Sequence, residues 1–160
     1  MPQELMRYRY KRICLLAALL WMAVIFSFSA RPADESARMS HSVGDWVGRV
    51  FVPGYEEWDE ASRQEFAENI DYPVRKCAHA GEYAVLGVLL TMALTDRRRV
   101  MPAAAIGILY AASDEFHQRF VPGRSCQLTD VLLDSAGLLA GIMLVLLADR
   151  LYRRFRQRSR

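Results

Sequence analysis

Four stretches of the chain are apolar enough to read as membrane helices, and the residues between them are strongly charged. Ile13 to Ala30 runs eighteen residues without a charge, close to the roughly twenty needed to cross hydrocarbon. Cys77 to Thr95 carries only His79 and Glu82, near its start, and Val131 to Ala148 only Asp134. Val100 to Ser113 is uncharged but covers only about 21 Å at 1.5 Å per residue. To reach across, that helix must continue through Asp114, Glu115 and His117 toward Phe120. The pattern predicts an all-α, four-transmembrane-helix bundle. Its spans lie near 13–30, 77–95, 100–120 and 130–148, in one membrane domain over 1–160 with an outer loop at 31–75.

That loop is itself patterned. Met39, Val43, Trp46, Val47 and Val50 recur at helical spacing with polar residues between them. The spacing predicts an amphipathic helix, lying in the membrane interface or tucked over the bundle. Pro53-Gly54 then breaks it. Glu56 to Asp71 is acidic and reads as a short surface helix with Trp58 and Phe66 facing inward, a cap over the spanning helices.

Charge sets the expected orientation. Arg7, Arg9, Lys11 and Arg12 precede the first span, Arg97, Arg98 and Arg99 fill the turn between the second and third, and Arg150, Arg153, Arg154, Arg156, Arg158 and Arg160 follow the fourth. Thirteen of the 21 basic residues thus fall on one side, whereas Arg31 to Arg75 holds ten acids against five bases. The positive-inside rule puts both termini in the cytoplasm and the long loop outside. Ser27-Phe28-Ser29 resembles a signal-peptide cleavage site, but the apolar run before it exceeds a usual signal core, so an uncleaved span is expected.

Composition narrows the function. The 160 residues are 52% hydrophobic, yet mean hydropathy is only +0.02, as alternating apolar and charged blocks require. A net charge of +3 is too mild for a dedicated nucleic-acid binder. Three cysteines lack the number for a disulfide scaffold and the spacing of a zinc motif. Neither a Gly-rich phosphate loop nor a serine nucleophile elbow occurs.

The ionisable residues inside the spans are the candidate chemistry. Counting helix rise from the cytoplasmic ends puts Glu82, Asp114 and Asp134 all about 18–21 Å up their helices, with His79, His117 and Asp130 one turn higher and Lys76 higher still. Lys76, His79, Glu82 and Tyr83 share one helix face, and Asp130, Asp134, Gly137 and Gly141 share another. The Gly137/Gly141 pair lets a neighbouring backbone approach, so its stripe should face the bundle interior. A carboxylate facing lipid costs roughly 2.5–3.5 kcal/mol on insertion scales, so these groups should face partners or water.

They could fix helix register as ion pairs, with Lys76, Arg119 or Arg124 opposite Glu82, Asp114 or Asp130, or converge on a pocket. So many at one depth favour a pocket opening to the outer leaflet. Pro122-Gly123 is a type II turn signal that would hang Arg124 over its mouth, suited to a phosphate or carboxylate or to a salt bridge with Asp130. No metal is assigned, because the two-residue step of Glu115-x-His117 points its side chains apart. No other cofactor is assigned either. Cys77 and Cys126 fall on the outer side, where oxidation could pair them. Cys14 reads as a buried small hydrophobe.

Two runs carry a resemblance: Val74-Arg75-Lys76-Cys77-Ala78-His79-Ala80-Gly81-Glu82-Tyr83 with Leu86-Gly87, and Asp114-Glu115-Phe116-His117-Gln118-Arg119-Phe120-Val121-Pro122-Gly123-Arg124, followed by Asp130, Gly137 and Gly141. In order and spacing the chain from about 70 to 145 resembles the VanZ-like family of small bacterial membrane proteins. That family takes its name from a protein giving low-level resistance to teicoplanin, a glycopeptide antibiotic that binds cell-wall precursors. The resemblance implies the bacterial inner membrane and a cell-envelope process. It places the family's polar signature on Lys76, His79, Glu82, Tyr83, Glu115, Gln118, Arg124 and Asp130. Where the family often has Asn, this chain has Asp134, adding a carboxylate.

Three functions compete. A non-enzymatic protein would bind an anionic envelope lipid, a lipid-linked cell-wall precursor or the antibiotic, with Lys76, Arg119 and Arg124 on the headgroup and Glu82, Asp114 and Asp134 organising them. An intramembrane enzyme on an amphiphilic phosphate or ester would use His79 or His117 as base, with Ser113 and Ser125 as nucleophiles by position only. A proton-coupled carrier would relay through His79, Glu82 and Asp134, but no inverted repeat supports it. The binder is the expected function.

Overall fold

The first apolar run folds as α1 (Pro2–Ser29). Its Cys14, Ala18 and Ile25, spaced four and seven, are buried, while Leu15, Leu16, Leu19 and Leu20 face outward. The computed structural model describes residues 2–94 and 100–158. Thr95, the basic turn Arg97, Arg98 and Arg99, and Arg160 lie outside the described residues. After α1 come α2 (Ala33–Phe51), a 3₁₀ turn (Tyr55–Glu57), α3 (Glu60–Leu94), α4 (Val100–Gln118) and α5 (Leu128–Arg158). The described residues form helices and turns only.

Three helices are long and apolar enough to cross a membrane, within Glu4–Ser29, Glu60–Leu94 and Leu128–Gln157. α4 does not qualify on the same measure: Asp114, Glu115 and His117 dilute its last turn and a half.

The outer surface of the bundle is apolar, as lipid contact requires, and the interior is built from small residues. α3 and α5 pack closest. A Cβ added to Gly137 or Gly141 would run into the backbone carbonyls of Ala80 and Ala84, and one on Gly87 into that of Leu138. Only glycine permits this approach, the means by which membrane helices gain packing without a hydrophobic driving force. Tyr83, Leu86, Leu90, Leu138 and Ile142 fill the seam, and Ala103 and Ala111 bring α4 onto it. Side chains tie α1 to its neighbours: Trp21 Nε1 donates to the Glu82 carbonyl at 2.8 Å, and Tyr110 OH to that of Met22 at 2.6 Å.

The 31–75 segment departs from the expected loop. Glu56 to Asp71 does not form a separate surface helix. α3 begins at Glu60 and runs 35 residues without interruption into the apolar stretch. It passes through Pro73, which has no N–H to donate to the Asn69 carbonyl. Asp59 starts it, its carboxylate accepting the Ser62 N–H at 2.7 Å. Hydrogen bonding from Ser62 holds the exposed Asp59 carboxyl below its usual range.

α2 is the amphipathic helix expected, ending before Pro53 and Gly54, the latter at φ 75°. It does not pack by its apolar stripe, however. The buried face is Ser40, Gly44 and Gly48: Gly44 lies against Ala67 and Ile70 of α3, and Gly48 receives the Tyr55 ring. Met39, Val43, Trp46 and Val50 are left facing outward. At the hairpin tip Trp58 and Phe66 do turn inward onto Tyr55, with ring centroids 5.2 and 5.5 Å away.

Candidate functional site

The turn after α4 positions the central side chain. Val121 accepts the Arg124 N–H at 3.1 Å, closing a four-residue turn with Pro122 and Gly123 at its centre. Gly123 sits at φ 73°, the position where a type II turn requires left-handed backbone. The Pro122 carbonyl accepts the Ala33 N–H at 3.1 Å, fastening the turn to the start of α2. Arg124 is thereby laid over the end of α1. Its Nε donates to the Arg31 carbonyl at 3.2 Å, its Nη2 to the Phe28 carbonyl at 3.5 Å, and its Nη1 to Gln118 Oε1 at 3.2 Å.

All three acceptors are neutral. Among the described residues no carboxylate pairs with Arg124, so the salt bridge to Asp130 is not formed. A guanidinium has five N–H donors, so two remain open. Burial, with the nearby Arg75 charge, lowers the Arg124 pKa, which still leaves it a cation at neutral pH.

Arg124 lines a cleft of about 170 Å³ between the end of α1, α2 and α3. Its polar wall also holds Arg31, Arg75, His79 and Glu82, and its apolar wall Phe28, Met39, Val43 and Val74. Arg75 is bonded to Asp71, which also accepts the hydroxyl of Ser40, another cleft residue. Arg31 donates to the Met39 sulfur at 2.9 Å and its guanidinium lies 5.2 Å from the Phe28 ring centroid. Three arginines therefore border one opening, and only Arg75 has a carboxylate partner.

The other expected residues divide around this cleft. Asp114 lies behind it, buried, its Oδ2 accepting Ser29 Oγ at 2.7 Å and Tyr83 OH at 3.4 Å. This three-residue contact joins α1, α3 and α4 at one depth. Gln118 links that buried layer to Arg124. Glu115 turns the other way, and its Oε1 accepts the Gln127 N–H at 2.7 Å just ahead of α5, where a carboxylate complements the free N–H groups of a helix start. Asp134 is buried in the bundle with Oδ1 unpartnered. His117 packs on Phe26 at 4.5 Å. Lys76 and Asp130 form a mostly buried ion pair joining α3 to α5. Lys76 is thus spent on helix register rather than offered to the cleft.

Arg119 is exposed and absent from the cleft lining. Ser113 bonds the Tyr110 carbonyl and Ser125 the Gln127 amide. The serines that line the cleft are instead Ser36 and Ser40. Cys77 and Cys126 are free and exposed, and Cys14 is buried. Among the described residues no three His, Cys, Asp or Glu side chains gather as metal ligands.

Arg31 and Arg75 are cleft residues that the sequence reading did not place among the candidate site residues. A signal for Arg75 existed: it shares a helical face with Ala78, His79 and Glu82. Ser29 had none, because its partner lies 85 residues away.

No curated protein and no solved structure matches the chain. A family profile does, over residues 14–149, from the first spanning helix to the body of the last. On that match the chain belongs to the VanZ/LLP1 family.

Proposed function

We propose that the protein binds the anionic headgroup of an envelope lipid at the outer leaflet of the bacterial inner membrane. In this reading α1, α3, α4 and α5 all span, both termini are cytoplasmic, and the Arg124 turn faces outward. The observation that carries it is Arg124 itself: half-buried at a cleft mouth, bonded only to neutral oxygens, with N–H groups to spare. A phosphate or carboxylate would supply the direct ion-pair partner that Arg124 lacks, in the bidentate geometry a guanidinium favours. Holding such a headgroup, lipid-linked precursors included, suits a part in low-level tolerance of glycopeptides such as teicoplanin. That role follows the family resemblance rather than the geometry.

The test is native mass spectrometry of protein extracted in mild detergent, with Arg124→Gln and Arg119→Gln as variants. Wild type and Arg119→Gln should retain an anionic lipid that Arg124→Gln loses. Equal retention by all three would defeat the reading.

A second reading, hydrolysis of an amphiphilic phosphate or ester, is favoured by His79, which lines the same cleft with Nδ1 unpartnered. It requires His79→Ala to abolish turnover while lipid retention persists.

A further inference from the structure

The cleft holds one charge that an anion on Arg124 leaves unused. Glu82 lines it, half-buried. Its backbone carbonyl accepts the Trp21 N–H at 2.8 Å, but among the described residues its carboxylate has neither a hydrogen bond nor an ion pair. Side chains on a helix lean toward its N-terminus, which on α3 carries the Glu82 carboxylate toward the Arg75 end of the cleft.

Arg124 stands at the same level on the other wall. Tyr83, next to Glu82, donates to Asp114, as does Ser29 of α1. The carbonyl next to Ser29, that of Phe28, accepts Arg124 Nη2 at 3.5 Å. The two charges are near enough to attract, yet they do not pair. Hydrogen bonds to the Arg31 carbonyl and Gln118 help to hold the guanidinium away. Were Glu82 only a counter-charge for Arg124, contact would be the better arrangement, since attraction rises as separation falls. Held apart, each offers its charge to the cleft. One molecule with a negative and a positive group a short distance apart satisfies both.

The lining also constrains the positive group. Quaternary ammonium ions are held by aromatic faces, and the Phe28 ring already has the Arg31 guanidinium 5.2 Å from its centroid. A carboxylate instead accepts N–H donors, as a primary ammonium supplies. Arg31 and Arg124 both lack carboxylate partners, against one free glutamate, so the complementary headgroup is anionic overall. At about 170 Å³ the cleft is smaller than the roughly 300–1,000 Å³ of sites for drug-sized ligands, and suits a compact group.

We infer that Glu82 is a subsite for a primary ammonium on the same headgroup whose phosphate Arg124 binds, so that the cleft selects an anionic aminophospholipid over an anionic lipid without an amine. This rests on the headgroup reading above and adds to it the class of headgroup.

The experiment is native mass spectrometry of the full chain in mild detergent, with phosphatidylserine and phosphatidylglycerol added at equal concentration. The two headgroups carry the same net charge at neutral pH, and only the first has an ammonium. N-acetyl phosphatidylserine, which keeps the phosphate and carboxylate but loses the ammonium, is the control. Wild type should favour phosphatidylserine by about tenfold or more, as one charge-assisted hydrogen bond implies, and should show no such preference for the acetylated lipid. Glu82→Gln should retain phosphatidylglycerol and hold phosphatidylserine no better. Arg124→Gln should release both.

Equal retention of the two lipids by wild type would overturn the ammonium subsite, and the headgroup reading would still stand if retention depended on Arg124. Without that dependence, both would fall. A preference shared by the acetylated lipid would trace it to the carboxylate, and one that survives Glu82→Gln would remove Glu82 from it; either result overturns the inference. The wild-type comparison with the acetylated lipid needs no variant, so it decides the matter even if Glu82→Gln does not fold.

Discussion

Replacing Gly141 by Ala tests the α3–α5 seam on which the site is hung. The added Cβ would meet the carbonyl oxygen of Ala84, with its carbon and Cα also within 3.1 Å. These are backbone atoms of a helix and cannot rotate away, so the helices must part. Overpacking of this kind costs about 1–3 kcal/mol. Against it stands the helix propensity of Ala over Gly, about 0.8–1.0 kcal/mol in favour of the variant. Gly81 supplies the control, because a Cβ there meets nothing within 4 Å, and Gly81→Ala should gain the propensity alone. The two variants should therefore differ by about 1–3 kcal/mol, Gly141→Ala being the less stable. Adding Gly137→Ala should cost less than it does alone, since the helices part once for both. Reversible unfolding in mixed micelles titrated with SDS, followed by tryptophan fluorescence, measures wild type and the four variants. If Gly141→Ala proves as stabilised as Gly81→Ala, the close α3–α5 contact is wrong, and the placement of His79 and Glu82 against the cleft goes with it.

Three further outcomes follow from the same geometry. A double-mutant cycle of Lys76→Gln and Asp130→Asn should return a coupling of about 1.5–3 kcal/mol for this mostly buried charge-assisted bond; additive effects would deny the pair. In a Cys14→Ala/Cys77→Ala background, a membrane-impermeant maleimide should label the exposed Cys126 in spheroplasts, whereas labelling only in inverted vesicles would reverse the proposed orientation. The Asp59 cap, its folded pKa lowered, contributes fully above the unfolded aspartate value of ~3.9 and is lost as pH falls through the folded one. Acid titration of Trp58 emission, read as the difference between wild type and Asp59→Ala, should show that step; identical curves would remove the cap from the account.

Much of the helical order was legible in the sequence because membrane helices write their burial as long apolar runs. The Pro122-Gly123 turn was legible for a different reason, since one residue must take positive φ and glycine stands there. The limits of α3 were not legible. Acidic, polar residues from Glu60 to Asp71 give no apolar run, yet they continue the helix, because α2 packs against them through Ser40 and Gly44. The orientation of α2 was left open, since its apolar stripe suits either the membrane interface or the bundle; small residues pack more closely and took the packed face. Of the residues that line the cleft, helical spacing had pointed to His79 and Glu82, and turn chemistry to Arg124. The division of labour among cations was decided in three dimensions. Lys76 met Asp130 across two helices, while Arg31, far in sequence from every span-borne acid, came to the cleft because the Pro122–Ala33 bond folds the turn onto it.

The account stands or falls on an anionic headgroup at Arg124, and the most direct measurement is the coupling between lipid phosphorus and arginine carbon. Protein labelled with ¹³C at arginine Cζ, in a phosphorus-free detergent with one equivalent of phosphatidylglycerol, would be studied frozen by phosphorus–carbon dephasing in solid-state NMR. The account predicts strong dephasing of a guanidinium resonance in wild type that is missing in Arg124→Gln and kept in Arg119→Gln. Dephasing that survives Arg124→Gln unchanged, or never appears in wild type, would contradict it.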